Sequence, residues 1–133
     1  MVNLLILGPN SMSGHVMVNY FSNLDDYKVS WLHEEEIIDN INHRILDNCI
    51  KLNEHPNIII NCIRCLVQES QDNLLKAILY NSLLPKFLEN IFKNSTTKII
   101  HLSTDCVFSG EKGNYDESSK PDGISNYALT KYL

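Results

Sequence analysis

The chain opens on a short apolar run, Val2-Asn3-Leu4-Leu5-Ile6-Leu7, stopped abruptly by Gly8-Pro9-Asn10-Ser11. Apolarity without alternation predicts a strand buried on both faces, as inside a parallel sheet. From Met12 the spacing changes. Met12, Val16 and Tyr20 recur at every fourth position, as do Met17 and Phe21, and this stripe predicts a helix. Strand, glycine turn, helix constrains the fold more than any other feature here, because two parallel strands need a crossover between them, usually a helix.

The rest of the chain repeats the theme. Tyr27–Leu32 predicts a second strand, Ile37-Ile38 a short third, Ile58–Cys62 a fourth and Lys98–Ser103 a fifth. Ile41, Ile45, Cys49 and Leu52 predict a helix closed before His55-Pro56, since proline disfavours helical geometry at the residue before it. Leu74–Phe92 predicts a long helix, residues 104–126 a loop rich in Gly, Ser, Asp and Pro, and Asn126 the start of a last helix. No Asn-Gly or Asp-Gly pair joins adjacent strand runs, so βα crossovers are expected rather than hairpins. Right-handed crossovers place helices on both faces. The expected fold is α/β, a Rossmann-like doubly wound parallel sheet in the order 3-2-1-4-5, with a ligand crevice beyond the strand C-termini.

Composition narrows the function classes. The chain has 133 residues, 44% apolar and 20% charged, with a formal net charge of −5. These values describe one globular domain and exclude disordered, collagen-like and mucin-like classes. No apolar run approaches the roughly 20 residues of a membrane span, and residues 1–20 lack the basic start of a signal peptide. A cytoplasmic location without a membrane partner is therefore expected. Lys and Arg are scattered on an acidic chain, which argues against nucleic acid. Cys62-Ile63-Arg64-Cys65 is a lone C-x-x-C at the end of a strand-like run. It lacks the second pair that zinc requires and the helix N-terminus that a redox dithiol uses, so no metal is expected.

Gly8-Pro9-Asn10-Ser11-Met12-Ser13-Gly14 lies between the first strand and the first helix. A dinucleotide site needs this arrangement because helix N-terminal N–H groups bind a diphosphate while glycines admit close backbone approach. In the G-x-x-G-x-x-G spacing the middle position is Ser11. Its Cβ stands where a cofactor would approach, and its hydroxyl is a candidate phosphate donor. After the second strand come His33-Glu34-Glu35-Glu36. Glu34 suits a ribose 2′-hydroxyl, whereas an Arg, absent here, would suit a 2′-phosphate. A solvated acidic helix start explains the run equally, and NAD and NADP both stay open.

Tyr127-Ala-Leu-Thr-Lys131 follows a predicted strand ending in Ser103-Thr104-Asp105. Residues four apart share a helical face. A lysine ammonium beside a phenol favours the phenolate, which makes such a tyrosine a usable general acid for a carbonyl oxygen that gains hydride. Thr104 is placed to hydrogen-bond the same oxygen. A plain surface pair is the alternative for an isolated Y-x-x-x-K.

Taken together, Gly8–His15 (GPNSMSGH), Pro56–Ile63 (PNIIINCI), Asn81–Pro85 (NSLLP), His101–Tyr115 (HLSTDCVFSGEKGNY) and Tyr127–Lys131 (YALTK) resemble the N-terminal part of an extended short-chain dehydrogenase/reductase of the dTDP-4-dehydrorhamnose reductase-like group. The resemblance covers essentially the whole chain, in family order. It implies NAD(P)H-dependent reduction of a 4-keto deoxy-sugar nucleotide, with Thr104, Tyr127 and Lys131 as the catalytic trio. By the same resemblance Gly8, Asn10, Ser11, Met12 and Gly14 border the cofactor diphosphate. Cys62, Ile63 and Arg64 line the cofactor, and Lys131 also holds the nicotinamide ribose. Arg64 departs from the small residue often found at its position. Along with Ser11, it favours an alternative: a non-catalytic nucleotide-binding or regulatory subunit of the same fold. Epimerase and dehydratase relatives share the trio.

Pro85 inside the long helix lacks the N–H that would bond the Asn81 carbonyl; either a simple kink results, or the freed carbonyl binds a water that feeds protons toward Lys131. His15 and His101 are expected to be packed or capped rather than ligands, and Trp31, Phe87, Ile91 and Phe92 to serve the core or an interface. The long helix is a candidate surface for a homodimer. Because the chain stops two residues after Lys131, it is expected to be truncated before the substrate domain and inactive alone, with apolar surface exposed near its end.

Overall fold

The strand β1 (Val2–Leu7) organises the sheet, pairing in parallel with β2 (Tyr27–Leu32) on one side and β3 (Ile58–Asn61) on the other. A fourth strand, β4 (Lys98–His101), pairs in parallel with β3, so the order is β2-β1-β3-β4. The structure, a computed structural model, describes residues 1–38 and 55–133. Leu4, Leu5, Ile6 and Leu7 are all buried, which is what an unbroken apolar run requires of a central strand. Each such side chain contributes about 1.5–3 kcal/mol by leaving water.

By their internal contacts the residues form two compact units, Met1–Ile63 with Phe87–Leu102, and Arg64–Lys86 with Ser103–Leu133. The first unit holds the whole sheet and α1 (Met12–Ser22). The second contains α3 (Val67–Asp72), α4 (Leu74–Ala77), a π-helical segment (Ile78–Leu83), a 3-10 turn (Asp105–Val107) and α6 (Asn126–Tyr132). Helix α5 (Leu84–Phe92) begins in the second unit and ends in the first.

Three expectations change. Ile37-Ile38 is not a strand: it ends the short helix α2 (Glu34–Ile38), with Ile37 buried. The expected third strand is therefore absent at that place, and the sheet of the described residues has four strands rather than five. The acidic triplet decides this. Carboxylates favour a helix N-terminus, and Glu36 Oε2 accepts the His33 N–H at 2.7 Å, closing the first turn. The helix expected through Ile41, Ile45, Cys49 and Leu52 lies outside the described residues.

In α1 the two apolar stripes part company. Met17, Val18 and Phe21 pack on the Leu4, Ile6, Ile60 core, while Met12, Val16 and Tyr20 are exposed. Gly14 sets the rotation: a Cβ there would lie 2.0 Å from the Gly8 carbonyl oxygen. The face that carries Gly14 thus abuts the end of β1, and positions 17, 18 and 21 share that face.

The predicted long helix is not uniformly α. The Leu84 N–H bonds the Leu79 carbonyl, the wide spacing of a π turn, just ahead of Pro85. A proline ring clashes with the carbonyl four residues back, and a π turn displaces that carbonyl without breaking the helix.

Candidate functional site

In the first unit the turn after β1 is closed by Ser11. Its Oγ donates to the Gly8 carbonyl at 2.9 Å and accepts the Gly14 N–H at 3.0 Å, capping α1. The hydroxyl expected to face a phosphate is instead directed into its own loop and withholds the Gly14 donor. Gly8 adopts φ +79, and a Cβ on it would come within 2.8 Å of Ile63 Cγ1. Two of the predicted cofactor-lining positions, Gly8 and Ile63, are thus in contact across the ends of β1 and β3. Asn10 and Met12 are exposed at the mouth of this turn. Cys62 and Ile63 are buried, and the Ile63 N–H donates to Asn61 Oδ1 at 3.1 Å. The close approach of Gly8 and Gly14, together with the remaining first-turn N–H groups of α1, fits a dinucleotide diphosphate at the helix N-terminus. Glu34 opens α2, half-buried.

In the second unit a network of buried polar groups holds α6. Asn81, in the π segment, accepts the Cys65 N–H at 2.9 Å and donates to the Cys65 carbonyl and to Thr130 Oγ1, each at 3.1 Å. Ser82 Oγ donates to the Thr130 carbonyl at 2.6 Å, and Asn126 Nδ2 to the Ser70 carbonyl at 3.2 Å. Ser125 caps α6 by accepting the Ala128 N–H. Tyr127 lies buried in the first turn of this helix, at 8% exposure, and Lys131 follows one turn on. Burial first, and the like charge of Arg64 second, hold the Lys131 ammonium below the usual lysine value. Burial likewise pushes the Cys65 thiol up.

Thr104 caps the 3-10 turn, its Oγ1 accepting the Cys106 N–H at 3.2 Å. That turn packs against α6 through Gly123, where a Cβ would meet the Ala128 Cβ and the Cys106 carbonyl oxygen, both at 2.7 Å. The following loop is ordered by Tyr115. Its ring stacks on Phe108 with centroids 4.6 Å apart, and its hydroxyl donates to Asp122 Oδ2 at 3.1 Å. A cavity of 580 Å³ opens beside this stack, reaching Asp105 and Cys106 next to Thr104.

Accordingly Gly8, Asn10, Ser11, Met12, Gly14, Glu34, Cys62 and Ile63 lie in the first unit, and Arg64, Thr104, Tyr127 and Lys131 in the second. His15 is exposed and pairs with Asn19 at 3.0 Å, whereas His101 is half-buried and pairs with Asn61 at 3.1 Å. Trp31 is 45% exposed, whereas Phe92 is buried. Sequence reasoning missed Ser70, Ser82, Gly123 and Thr130, and looked to the carbonyl of Asn81 rather than its amide. Ser82 and Thr130 left a trace: polar residues inside otherwise apolar helical segments. Among the described residues no group of three or more His, Cys, Asp or Glu is arranged to hold a metal ion, and no helix is long and apolar enough to cross a membrane.

Residues 2–133 match the family described as the RmlD substrate binding domain. The chain belongs to that family. Among solved structures it is similar to a hypothetical dTDP-4-dehydrorhamnose reductase from Sulfolobus tokodaii, at 27% identity and TM-score 0.83 over 99% of this chain. The reductase from Clostridium acetobutylicum matches at 25% identity and TM-score 0.82 over 98% of this chain. That from Bacillus anthracis, solved in complex with NADP, shares the fold at 24% identity and TM-score 0.81 over 99% of this chain. The chain spans about half the length of these proteins, 50%, 46% and 47% respectively. Comparison with curated protein sequences returned no match.

Proposed function

We propose that this chain carries the cofactor-binding and proton-transfer residues of an NAD(P)H-dependent reductase acting on a 4-keto deoxy-sugar nucleotide. The observation that carries the reading is α6, which presents a buried Tyr127 and a desolvated Lys131 one turn apart and packs against the turn capped by Thr104. Membership in the RmlD family, with similarity to dTDP-4-dehydrorhamnose reductases, supports the substrate class.

In this reading Gly8, Asn10, Ser11, Met12 and Gly14 shape the diphosphate site at the start of α1. Glu34 takes the adenosine ribose, and Cys62 and Ile63 line the wall beside Gly8. The bound nicotinamide supplies hydride. Tyr127 donates the phenolic proton to the carbonyl oxygen of the substrate, Thr104 orients that oxygen, and Lys131 holds the charge beside the phenol and a ribose hydroxyl of the cofactor.

Calorimetric titration of NADH and NADPH into the chain tests the cofactor half. Binding of either at millimolar concentration or below is expected, and no binding of either overturns the assignment. Tyr127→Phe should leave that affinity within about threefold. It should also lower any hydride transfer to a 4-keto sugar nucleotide by about 10²–10⁴-fold, the usual worth of a general acid. Undiminished transfer removes Tyr127 from that role.

A further inference from the structure

The buried side chain of Asn61, at the end of β3, joins two places that the sheet alone does not connect. The ladder between β1 and β3 runs as far as the Cys62 N–H, which bonds the Leu7 carbonyl at 3.0 Å. At Gly8 a φ of +79 turns the chain away. The next donor, the Ile63 N–H, must then find a partner of its own, and Asn61 Oδ1 accepts it at 3.1 Å. With its oxygen committed to Ile63, the amide presents Nδ2 to Nδ1 of the half-buried His101 on β4, 3.1 Å away. Ile63 in turn backs the turn that opens α1. A Cβ on Gly8 would meet Ile63 Cγ1 at 2.8 Å and its main-chain N at 3.2 Å. The Gly8 carbonyl takes both the N–H and the hydroxyl of Ser11, at 3.2 and 2.9 Å.

An amide nitrogen of this kind only donates, so His101 Nδ1 must accept. The ring that makes this bond is neutral and carries its proton on Nε2. A second proton, on Nδ1, would set two donors face to face. Asn61 has no exposed surface, so no water takes over its lost bond, and the amide turns its oxygen toward the new donor and away from Ile63. Strand β3, which pairs with β4, carries no ionisable side chain, and Cys62 after it is buried. Strand β4 adds Lys98, the chain beyond it Asp105 and Cys106, and the Phe87–Leu102 stretch Glu89 and Lys93. Charge on these groups shifts where the ring titrates, while the direction of the Asn61 bond decides what the proton does.

We propose that Asn61 is a positioning residue for the turn between β1 and α1, and that His101 makes its hold depend on protonation. The neutral ring keeps Asn61 on the Ile63 N–H and Ile63 against Gly8. The imidazolium releases them, and the turn loses its backing. That this turn receives a dinucleotide rests on the reductase reading; the lock between His101, Asn61 and Ile63 does not.

NMR of the unliganded chain between about pH 8 and pH 5, the range in which histidine changes charge, reads the lock directly. The neutral His101 ring should carry its proton on Nε2. The Ile63 main-chain amide and the Asn61 side-chain amide should shift with the midpoint of that ring. His101→Asn places a non-titrating oxygen where Nδ1 stood, and should hold the Ile63 amide unchanged across the range. Asn61→Asp accepts from Ile63 and from a protonated ring together, and should raise the His101 midpoint. A neutral ring protonated on Nδ1, or an Ile63 amide indifferent to the titration of the ring, overturns the proposal. In calorimetry, NAD+ affinity should fall about three- to tenfold from pH 8 to pH 5, the worth of one hydrogen bond, and should stay level in His101→Asn. Level affinity in the native chain removes the turn from the reach of the lock and likewise overturns the proposal. Absence of NAD+ binding at either pH counts against the reductase reading, and the NMR titration still decides the lock.

Discussion

The amide of Asn81 grips Cys65 as a neighbouring strand would: Oδ1 accepts the main-chain N–H at 2.9 Å and Nδ2 donates to the carbonyl at 3.1 Å. The same Nδ2 reaches Thr130 Oγ1, 49 positions further along the chain. One side chain thereby joins the segment after β3, the π turn and the helix that bears Tyr127 and Lys131.

Asn81→Ala removes all three bonds and leaves the buried Cys65 N–H without its partner, while the Cys65 carbonyl keeps the Ser70 hydroxyl at 3.2 Å. An unmet buried group costs about 1–3 kcal/mol, and a loss in that range is expected by urea denaturation. A loss below about 0.5 kcal/mol would show that water replaces the amide freely.

The turn after β1 separates steric from hydrogen-bonding roles. A Cβ at Gly14 would stand 2.0 Å from the Gly8 carbonyl oxygen, so Gly14→Ala should destabilise by about 3 kcal/mol or more, the upper range for overpacking. Ser11→Ala loses the cap and the bond to the Gly8 carbonyl, about 1–2 kcal/mol together, and Ser11→Gly costs less. Because the Ser11 hydroxyl points into the loop, neither Ser11 variant should weaken nicotinamide binding by more than about twofold. Thermal melts and calorimetry check both statements.

Glu69 gives a signed pH dependence. Its carboxyl is held below the usual value of 4.5, chiefly by the hydrogen bond from Lys76. As pH falls, the unfolded chain takes up this proton before the folded one. The stabilisation is therefore present above the unfolded value and is lost as pH falls through the folded one. The side chains are 32% and 43% exposed, and solvent screening limits the pair to about 0.5–1 kcal/mol. Lys76→Met should remove that increment at neutral pH and change nothing at strongly acidic pH, measured by denaturation at each pH.

Thiol labelling separates the cysteines. Cys106 is exposed, while Cys62 and Cys65 are buried, and burial also disfavours the Cys65 thiolate, which is the reactive form. Brief alkylation near neutral pH followed by peptide mapping should mark Cys106 and leave Cys62 and Cys65 unmarked until denaturant is added. Early labelling of Cys65 would show that its segment opens locally.

Much of the fold was legible. The unbroken runs Val2–Leu7 and Ile58–Asn61 became adjacent central strands, because full burial leaves no room for polar alternation. Ile37-Ile38 misled for a local reason: two β-branched residues suggested a strand, while three preceding carboxylates stabilised a helix N-terminus. The stripes of α1 both had helical spacing, yet the contact of Gly14 with Gly8 chose which of them meets the core. For the site, residue types were legible and their partners were not. Ser11 was read as facing a phosphate because its loop position implies it; the Gly8 carbonyl and the Gly14 N–H drew it inward.

By itself the sequence determined the alternating β and α order, the glycine turn at the start of α1, and the tyrosine–lysine spacing on one helix. Periodicity and turn chemistry act over a few residues, so a linear reading reaches them. Tertiary structure alone decided that Asn81 would clamp Cys65 and Thr130, and that Ser82 would hold the Thr130 carbonyl. Those contacts exist because buried polar groups from distant segments must find partners when they leave water, and no short stretch of sequence says which partner is within reach.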